Sequence, residues 1–207
     1  ADVRALNVRF SEGASHFDGM VTDRRAGTET RLENMRLPMP GEHNVQNALA
    51  AITVARELHV SDSKIRSALD KFGGVGRRFS KVGEWNGMAI IDDYAHNPFK
   101  IAAALKAARQ AYSGPVIAVV QPHRYTRLRD TWEQFCSCLN DADVAIIAPV
   151  YPAGEQPIEG IDRDTFADAL RSHGHRNVMV IEGGMDVAGV VAPFAKQGSA
   201  VVMLGTG

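Results

Sequence analysis

The sequence predicts an α/β protein: a mostly parallel sheet with helices on both faces, preceded by a smaller segment of strands and helices. After residue 79, apolar runs of strand length alternate with segments whose apolar residues recur at helical spacing. Runs such as 116–120 are apolar at every position, which is typical of parallel strands covered on both sides. Residues 1–40 instead predict consecutive short strands separated by turns.

The first 72 residues are predicted to form three strands and then two helices. The strands are expected at 3–10, 16–22 and 29–37, and a proline-rich run at 38–41 interrupts the chain after them. The helices are expected on apolar stripes that run from Val45 to Leu58 and from Ile65 to Phe72. The glycine cluster that follows is the predicted boundary between domains at 1–76 and 77–207.

The rest of the chain is predicted to alternate strictly between strand and helix. Strands are expected at 80–85, 88–91, 116–120, 144–148, 178–181 and 200–204. Helices are expected at 98–112, 127–139, 164–172 and 185–194. This order predicts right-handed crossovers between parallel strands.

Composition excludes several classes of protein. The chain has 207 residues, of which 45% are hydrophobic and 23% charged, so intrinsic disorder is excluded. A net charge of −1 gives no electrostatic case for nucleic acid or an anionic membrane. The two cysteines, Cys136 and Cys138, exclude a disulfide scaffold and predict a reducing cytoplasm. No apolar run approaches the roughly 18 residues that span a bilayer.

Both ends of the sequence predict that the chain is part of a longer protein. It opens on Ala1 rather than Met, and it closes on a glycine-rich turn directly after an apolar strand. It contains no Gly-x-x-x-x-Gly-Lys-Ser/Thr run, so nothing in it can hold ATP phosphates in the manner of a P-loop.

The loop after the strand 116–120 predicts an anion site. Ligands of open α/β sheets bind beyond the carboxyl ends of the strands. His123, Arg124 and Arg127 have spacings of three and four, which place them on one side of a helix that starts there. Two guanidinium groups and an imidazole at a helix N-terminus favour a carboxylate or a phosphate. The structural alternative is a solvated basic helix start paired with Asp130 or Glu133.

Two further clusters allow a functional and a structural interpretation. Asp92 and Asp93 can accept hydrogen bonds from ribose hydroxyls or bind a metal, with Tyr94 and His96 beside them. In the structural alternative they form a turn in which Asn97 caps a helix, which explains neither the aspartates nor the Tyr and His. At 41–47, spacing alone favours a structural role, with Asn44 as an N-cap and His43 on the surface.

Five motifs, in order, resemble those of the Mur ligases, the ATP-dependent enzymes of peptidoglycan precursor synthesis. They are Gly41-Glu42-His43-Asn44-x-x-Asn47, Arg77-Arg78-Phe79, Asp93-Tyr94-Ala95-His96-Asn97-Pro98, Gln121-Pro122-His123-Arg124-Tyr125-Thr126-Arg127 and Tyr151-Pro152-Ala153-Gly154-Glu155-x-Pro157-Ile158-x-Gly160. The last two resemble the members of the family that add L-alanine to UDP-N-acetylmuramate. The likeness runs from about residue 38 to the end of the chain.

The resemblance implies a fold, a reaction and ligands. Residues 1–76 would be the C-terminal part of the central ATPase domain, and 77–207 the Rossmann-like C-terminal domain. The UDP-binding domain and the P-loop would lie outside this chain, which is therefore expected to be inactive alone. The implied reaction uses ATP and Mg²⁺ to form an acyl phosphate on UDP-N-acetylmuramate, which the amine of L-alanine then attacks.

The resemblance also implies roles for individual residues. His43 would help to hold magnesium, Asn44 and Asn47 would lie near the adenine, and Arg78 would reach the ribose and phosphate. Asp93, with Asp92, would bind the ribose, and Tyr94 and His96 would face the closing catalytic site. His123, Arg124 and Arg127 would hold the alanine carboxylate, which agrees with the anion site predicted from residue types.

Two positions depart from the L-alanine-adding pattern and leave alternatives open. That subgroup more often has His at the position of Asn97 and an acidic residue at the position of Lys100. A second hypothesis is therefore another ligase of the superfamily, which adds other amino acids, peptides or glutamates. A third is a non-catalytic module that binds an amino acid or a nucleotide.

Overall fold

The computed structural model describes residues 2–11 and 13–206 and divides the chain into two units, Ala1–Val75 and Gly76–Gly207. The division falls at the glycine cluster that the sequence marks as a boundary. Each unit has hydrophobic core residues of its own, so each is described by itself.

The first unit is a three-stranded antiparallel sheet with two helices packed against it. Its elements are β1 (Val3–Ser11), β2 (Ala14–Asp23), β3 (Thr28–Leu37), α1 (Glu42–Glu57) and α2 (Asp62–Asp70), with β2 in the centre of the sheet. The apolar sides of the sheet and the helices meet in one cluster, which includes Phe17, Leu32, Met35, Ile52 and Ile65. The three strands and two helices predicted from the sequence are confirmed.

A buried carboxylate fixes the irregular centre of this sheet. The β2–β3 register shifts between Phe17 and Gly19, and Asp18 lies at the shift. Its side chain accepts hydrogen bonds from the Asn34 amide (2.9 Å), Asn7 Nδ2 (2.9 Å) and Arg31 Nη2 (2.7 Å). The hydrogen bond from Arg31, followed by those from Asn34 and Asn7, lowers the pKa of Asp18 to about 2. Asp18 therefore holds all three strands in one register.

The second unit is a six-stranded, mostly parallel sheet, as predicted. Its elements are β4 (Ser80–Trp85), β5 (Met88–Asp93), α3 (Pro98–Ala111), β6 (Val116–Val120), α4 (Tyr125–Asp130), α5 (Trp132–Ser137), β7 (Val144–Ile147), α6 (Arg163–Ser172), β8 (Val178–Val180), α7 (Val187–Val191) and β9 (Ala200–Leu204). The strand order is β4-β5-β9-β6-β7-β8, and only the β4–β5 pair is antiparallel. β9, the last strand in sequence, thus lies between β5 and β6.

The two faces of this sheet are covered unequally. On one face, α3, α5 and α6 bury a large cluster around Leu105, Phe135 and Phe166. On the other face, α7 and the single 3-10 turns on either side of it pack through Val187 and Val191. Alternate residues of the central strands enter the two clusters, which explains why these strands are apolar at every position.

Two predicted helices differ in detail from those observed. The helix expected at 127–139 begins at Tyr125 and is broken at Thr131, whose φ of −124° and ψ of 35° are not helical. The Thr131 hydroxyl donates to the Arg127 carbonyl, which competes with regular helix hydrogen bonding. The helix expected at 185–194 is a single turn of α-helix with 3-10 turns at both ends, and Pro193 lies in the second of these.

Strand β5 runs two residues further than predicted, so Asp92 and Asp93 end the strand and do not lie in the following loop. Cys136 and Cys138 are both buried, and both thiols are free. None of the helices in the described part of the chain is long and apolar enough to cross a lipid bilayer.

Candidate functional site

The loops after β5, β6 and β7 bring four aromatic rings together at one edge of the parallel sheet. Tyr94 and His96 follow β5, His123 follows β6, and Tyr151 follows β7. Ring centroids lie 5.1 Å apart for Tyr94–His96, 5.5 Å for His96–His123 and 5.4 Å for His123–Tyr151. These contacts join three of the five sequence motifs.

A guanidinium group contacts this row of rings from α4. Arg127 Nη1 lies 3.2 Å from His123 Nδ1 and 3.3 Å from the His123 carbonyl oxygen. Because a guanidinium only donates, Nδ1 of His123 is the acceptor in this contact. Arg124 is also on this loop, with an exposed side chain. The structure thus brings together His123 and Arg127, two of the three residues predicted for the anion site, and places Arg124 beside them in the chain.

The surroundings of both histidines of the cluster lower their pKa, which favours the neutral imidazole. Burial lowers the pKa of His123, and the charges of Arg127 and of neighbouring groups lower it further. Burial likewise lowers the pKa of His96, with added repulsion from Arg127 and Lys100. Nδ1 of His96 donates to the Tyr94 carbonyl at 2.9 Å, which leaves Nε2 as the proton-accepting nitrogen. The positive charge of this site therefore comes from the arginines.

The carboxylate of Glu155, a residue of the protein itself, binds at the N-terminus of α4. Glu155 Oε2 accepts from the Thr126 amide at 3.0 Å, and Oε1 accepts from the Thr126 hydroxyl at 2.6 Å. These two hydrogen bonds lower the pKa of Glu155. The Thr126 amide is therefore already paired with a carboxylate of the protein. Attraction for an anion has to come from the guanidinium groups.

The two aspartates at the end of β5 have different partners. Asp93 accepts from the amides of Phe79 and Ala95, both at 2.8 Å, so it fixes the local backbone. Asp92 accepts from Arg77 Nε at 3.1 Å. A carboxylate has about four acceptor positions, so the contact with Arg77 leaves room for a ligand hydroxyl on Asp92.

Arg77, for which the sequence predicted no role, contacts the end of β5 and the residues that follow β9. Its guanidinium binds Asp92, donates to the carbonyls of Gly205 and Thr206, and lies 5.1 Å from the ring centroid of Tyr94. The side chain of Arg78 is exposed. Arg77 and Asp92 also line a cavity of about 780 Å³ at this edge of the sheet, together with Gln121, Glu182 and Gly205.

The candidate residues of the first unit lie at the start of α1. The helix begins at Glu42 with Gly41 as N-cap at φ 110°, a backbone conformation that favours glycine. Asn44 is therefore not the N-cap; it is buried and its Nδ2 donates to the Pro40 carbonyl at 2.7 Å. His43 is half-buried and Asn47 is exposed.

The side chains that the structure describes offer magnesium few ligands. Across residues 2–11 and 13–206, no group of three or more His, Cys, Asp or Glu side chains is placed to hold a metal ion. Magnesium commonly keeps several waters and takes further ligands from substrate phosphates. The role of His43 in holding magnesium stays a prediction.

Asn97, one of the two departures from the L-alanine-adding pattern, has a structural explanation. It is the N-cap of α3, and its side-chain oxygen accepts from the Lys100 amide at 3.0 Å. Pro98 takes the first helical position, where its missing N–H costs nothing. The capping predicted from the sequence is confirmed.

The chain is similar to known proteins in both sequence and fold. The sequence profile of the family described as "Mur ligase, glutamate ligase domain" matches residues 77–207. A UDP-N-acetylmuramate–L-alanine ligase of Rhodopseudomonas palustris (strain TIE-1) is 58% identical over all 207 residues, and one of Bradyrhizobium sp. (strain BTAi1) is 56% identical. The chain covers 44% of the length of each, so it spans less than half of these relatives.

A solved structure gives the same result. The crystal structure of a UDP-N-acetylmuramate-alanine ligase from Thermotoga maritima superposes with a TM-score of 0.77 at 25% identity. The superposition covers all of this chain and 43% of the other. The chain is therefore similar, in both fold and sequence, to UDP-N-acetylmuramate–L-alanine ligases.

Proposed function

Because the chain belongs to the Mur ligase family, we propose that its protein joins L-alanine to UDP-N-acetylmuramate with ATP and Mg²⁺. Residues 1–76 would be the end of the central ATPase domain and 77–207 the C-terminal domain. We place the activity in the reducing cytoplasm, in keeping with two free cysteines. The relatives that carry this activity by name are 56–58% identical over the whole of the chain.

The proposed reaction forms an amide bond in two steps. The terminal phosphoryl group of ATP is transferred to the muramyl carboxylate, which gives an acyl phosphate. The amine of L-alanine then attacks the carbonyl carbon, and the tetrahedral intermediate releases phosphate. Bound Mg²⁺ would neutralise charge on the transferring group.

The observation that carries the proposal is the contact of Arg127 with His123, whose ring lies beside that of His96. Arg127 and Arg124 would bind the alanine carboxylate, because an arginine forms charge-assisted hydrogen bonds with it. His96 has an unprotonated Nε2 and would accept a proton from the alanine ammonium group. Tyr94 contacts the His96 ring edge to face and would keep it in place.

Nucleotide contacts are proposed for both units. In the second unit, Asp92 and Asp93 would accept hydrogen bonds from the ribose, and Arg78 would reach the ribose and phosphate. The cavity beside Asp92 supports the presence of a ligand there. In the first unit, Asn44 and Asn47 would lie near the adenine, and His43 would contribute one magnesium ligand.

The experiment is ADP release by the full-length protein with UDP-N-acetylmuramate, Mg-ATP and a panel of amino acids. We expect release with L-alanine, and weaker release with glycine and L-serine. Release with a different amino acid or a peptide only would favour another ligase of the superfamily. No release with any acceptor would favour a non-catalytic binding module.

Arg127→Ala and Arg129→Ala form a matched pair for the carboxylate contact. Both arginines are on α4, but Arg129 is exposed and pairs with Asp130. A hydrogen bond to a charged group contributes about 1.5–3 kcal/mol, so Arg127→Ala should raise the KM for L-alanine roughly 10- to 150-fold. Arg129→Ala should leave this KM unchanged. Equal KM values for the two variants would remove Arg127 from the amino-acid site.

A further inference from the structure

Glu155 joins two loops that the sheet topology brings side by side. It follows β7, and both of its carboxylate oxygens bind Thr126, at the start of the helix that follows β6. Thr126 precedes Arg127 directly in the chain. Glu155 thus contacts the residue next to Arg127, the proposed carboxylate-binding arginine, although Glu155 and Arg127 are 28 positions apart in the sequence.

Other hydrogen bonds between the same two loops hold a strained backbone conformation at Arg124. The Arg124 amide donates to the Tyr151 carbonyl and the Tyr151 amide to the Pro122 carbonyl, both at 2.8 Å. Between these contacts, Arg124 has a φ of 73°, a conformation that costs a non-glycine residue on the order of 1–3 kcal/mol. Such a backbone persists only where its surroundings hold it. The loop after β7 therefore fixes the conformation of the loop that carries His123, Arg124 and Arg127.

We propose that Glu155 is a positioning residue for the amino-acid site: through Thr126 it holds the start of α4 so that Arg127 can meet the substrate carboxylate. The inference rests on the proposed function. In this proposal Glu155 acts through Thr126, which both of its oxygens contact, and is assigned no direct contact with the amino acid.

Because Glu155 is charged, the direction in which Glu155→Gln changes the binding of L-alanine distinguishes positioning from a simple effect of charge. An acidic group near Arg124 weakens the attraction of the site for an anion. If this charge were its only influence, Glu155→Gln would bind L-alanine more tightly. If Glu155 positions the site, the same variant binds L-alanine more weakly, since Gln has one acceptor oxygen in place of two and its amide nitrogen cannot accept from Thr126.

The test measures KM for all three substrates in the full-length protein, with Glu159→Gln as the control for charge. Glu159 is exposed on the same segment of chain. We expect Glu155→Gln to raise the KM for L-alanine about tenfold, with kcat and the KM for ATP within about twofold of the wild type. Thr126→Val should do the same, and Thr126→Ser should restore the wild-type KM.

The double variant Glu155→Gln/Thr126→Val separates positioning from general damage. If both residues act through one contact, the KM of the double variant for L-alanine is about tenfold above that of the wild type. Independent effects would instead multiply and raise this KM about a hundredfold. Independent effects, or an unchanged or lower KM in Glu155→Gln, would overturn the inference. Melting temperatures of the variants identify any that fail to fold.

A second measurement needs no turnover. Hydrogen exchange in peptides that span 122–130 of the full-length protein should be faster in Glu155→Gln and unchanged in Glu159→Gln. Unchanged exchange in Glu155→Gln would overturn the inference. A wild-type protein that releases no ADP with L-alanine would instead contradict the proposed function, so the two failures are distinguishable.

Discussion

Replacing Asp18 with Asn should destabilise the first unit in a pH-dependent manner. The side chain of Asp18 is 13% exposed and accepts three hydrogen bonds, and its pKa is lowered from 3.8 to about 2. A shift of one pKa unit corresponds to about 1.4 kcal/mol, so the carboxylate contributes up to about 2 kcal/mol at pH 7. Arg31 is 45% exposed, which brings the expected loss in Asp18→Asn to about 1–2 kcal/mol.

The sign of the pH dependence follows from the lowered pKa. Since the pKa is lower in the folded state than in the unfolded state, the stabilisation is complete above about pH 4. It is lost as the pH falls through about 2, and about half of it remains at pH 3. The difference in stability between the wild type and Asp18→Asn should therefore shrink by about half from pH 7 to pH 3.

The assay has to report on the first unit specifically. Both tryptophans, Trp85 and Trp132, lie in the second unit, so their fluorescence does not follow this sheet. Hydrogen exchange resolved to β2 and β3 measures the local free energy of opening. Asp70→Asn is the control, because Asp70 forms an exposed pair with Arg36 that should contribute at most about 1 kcal/mol. A loss in Asp18→Asn that is equal at pH 3 and pH 7 would refute the reasoning.

Three further predictions concern the second unit. Phe135→Ala removes a fully buried ring that packs edge to face on Phe166, so it should lower the free energy of unfolding by about 3–5 kcal/mol. Urea unfolding followed by tryptophan fluorescence measures this free energy, and a loss below about 1 kcal/mol would contradict the packing. Gly114→Ala places a Cβ 2.7 Å from the Gly198 carbonyl oxygen and should lower the melting temperature, whereas Gly184→Ala, with no atom within 4 Å, should not. Burial raises the pKa of the Cys138 thiol to about 12, so peptide mapping should find it unmodified by iodoacetamide at pH 8 until denaturant is added; rapid labelling of the native protein would show that the thiol is accessible.

Apolar periodicity was sufficient to predict the order in which strands and helices follow one another along the chain. The strand Val116–Val120 is apolar throughout because both of its faces are buried, and the stripe of α3 is apolar because one face packs on the sheet. What periodicity cannot supply is the order of strands. Nothing in residues 200–204 indicates that β9 pairs between β5 and β6, because a strand buried on both faces looks the same at any central position.

The candidate site could be predicted where its residues follow a strand, and could not where contacts join distant segments. His96, His123 and Arg127 are placed by the rule that ligands bind at the carboxyl ends of parallel strands. Arg77 and Glu155 were not selected for a contact, because their partners are remote in sequence: Arg77 binds the carbonyls of Gly205 and Thr206, and Glu155 binds Thr126. A dipeptide of two arginines gives no indication of which of them turns toward the sheet.

The place of β9 in the sheet has a consequence for how the second unit is made. Until residues 200–204 leave the ribosome, β4 and β5 lack their parallel neighbour and β6 has one open edge. The growing chain thus holds two partial sheets with unpaired apolar edges, which is the condition in which nascent proteins aggregate or require chaperones. Cooperative folding of this unit should therefore begin only after synthesis has passed β9, and a chain that stops near residue 195 should be degraded or recovered as aggregate.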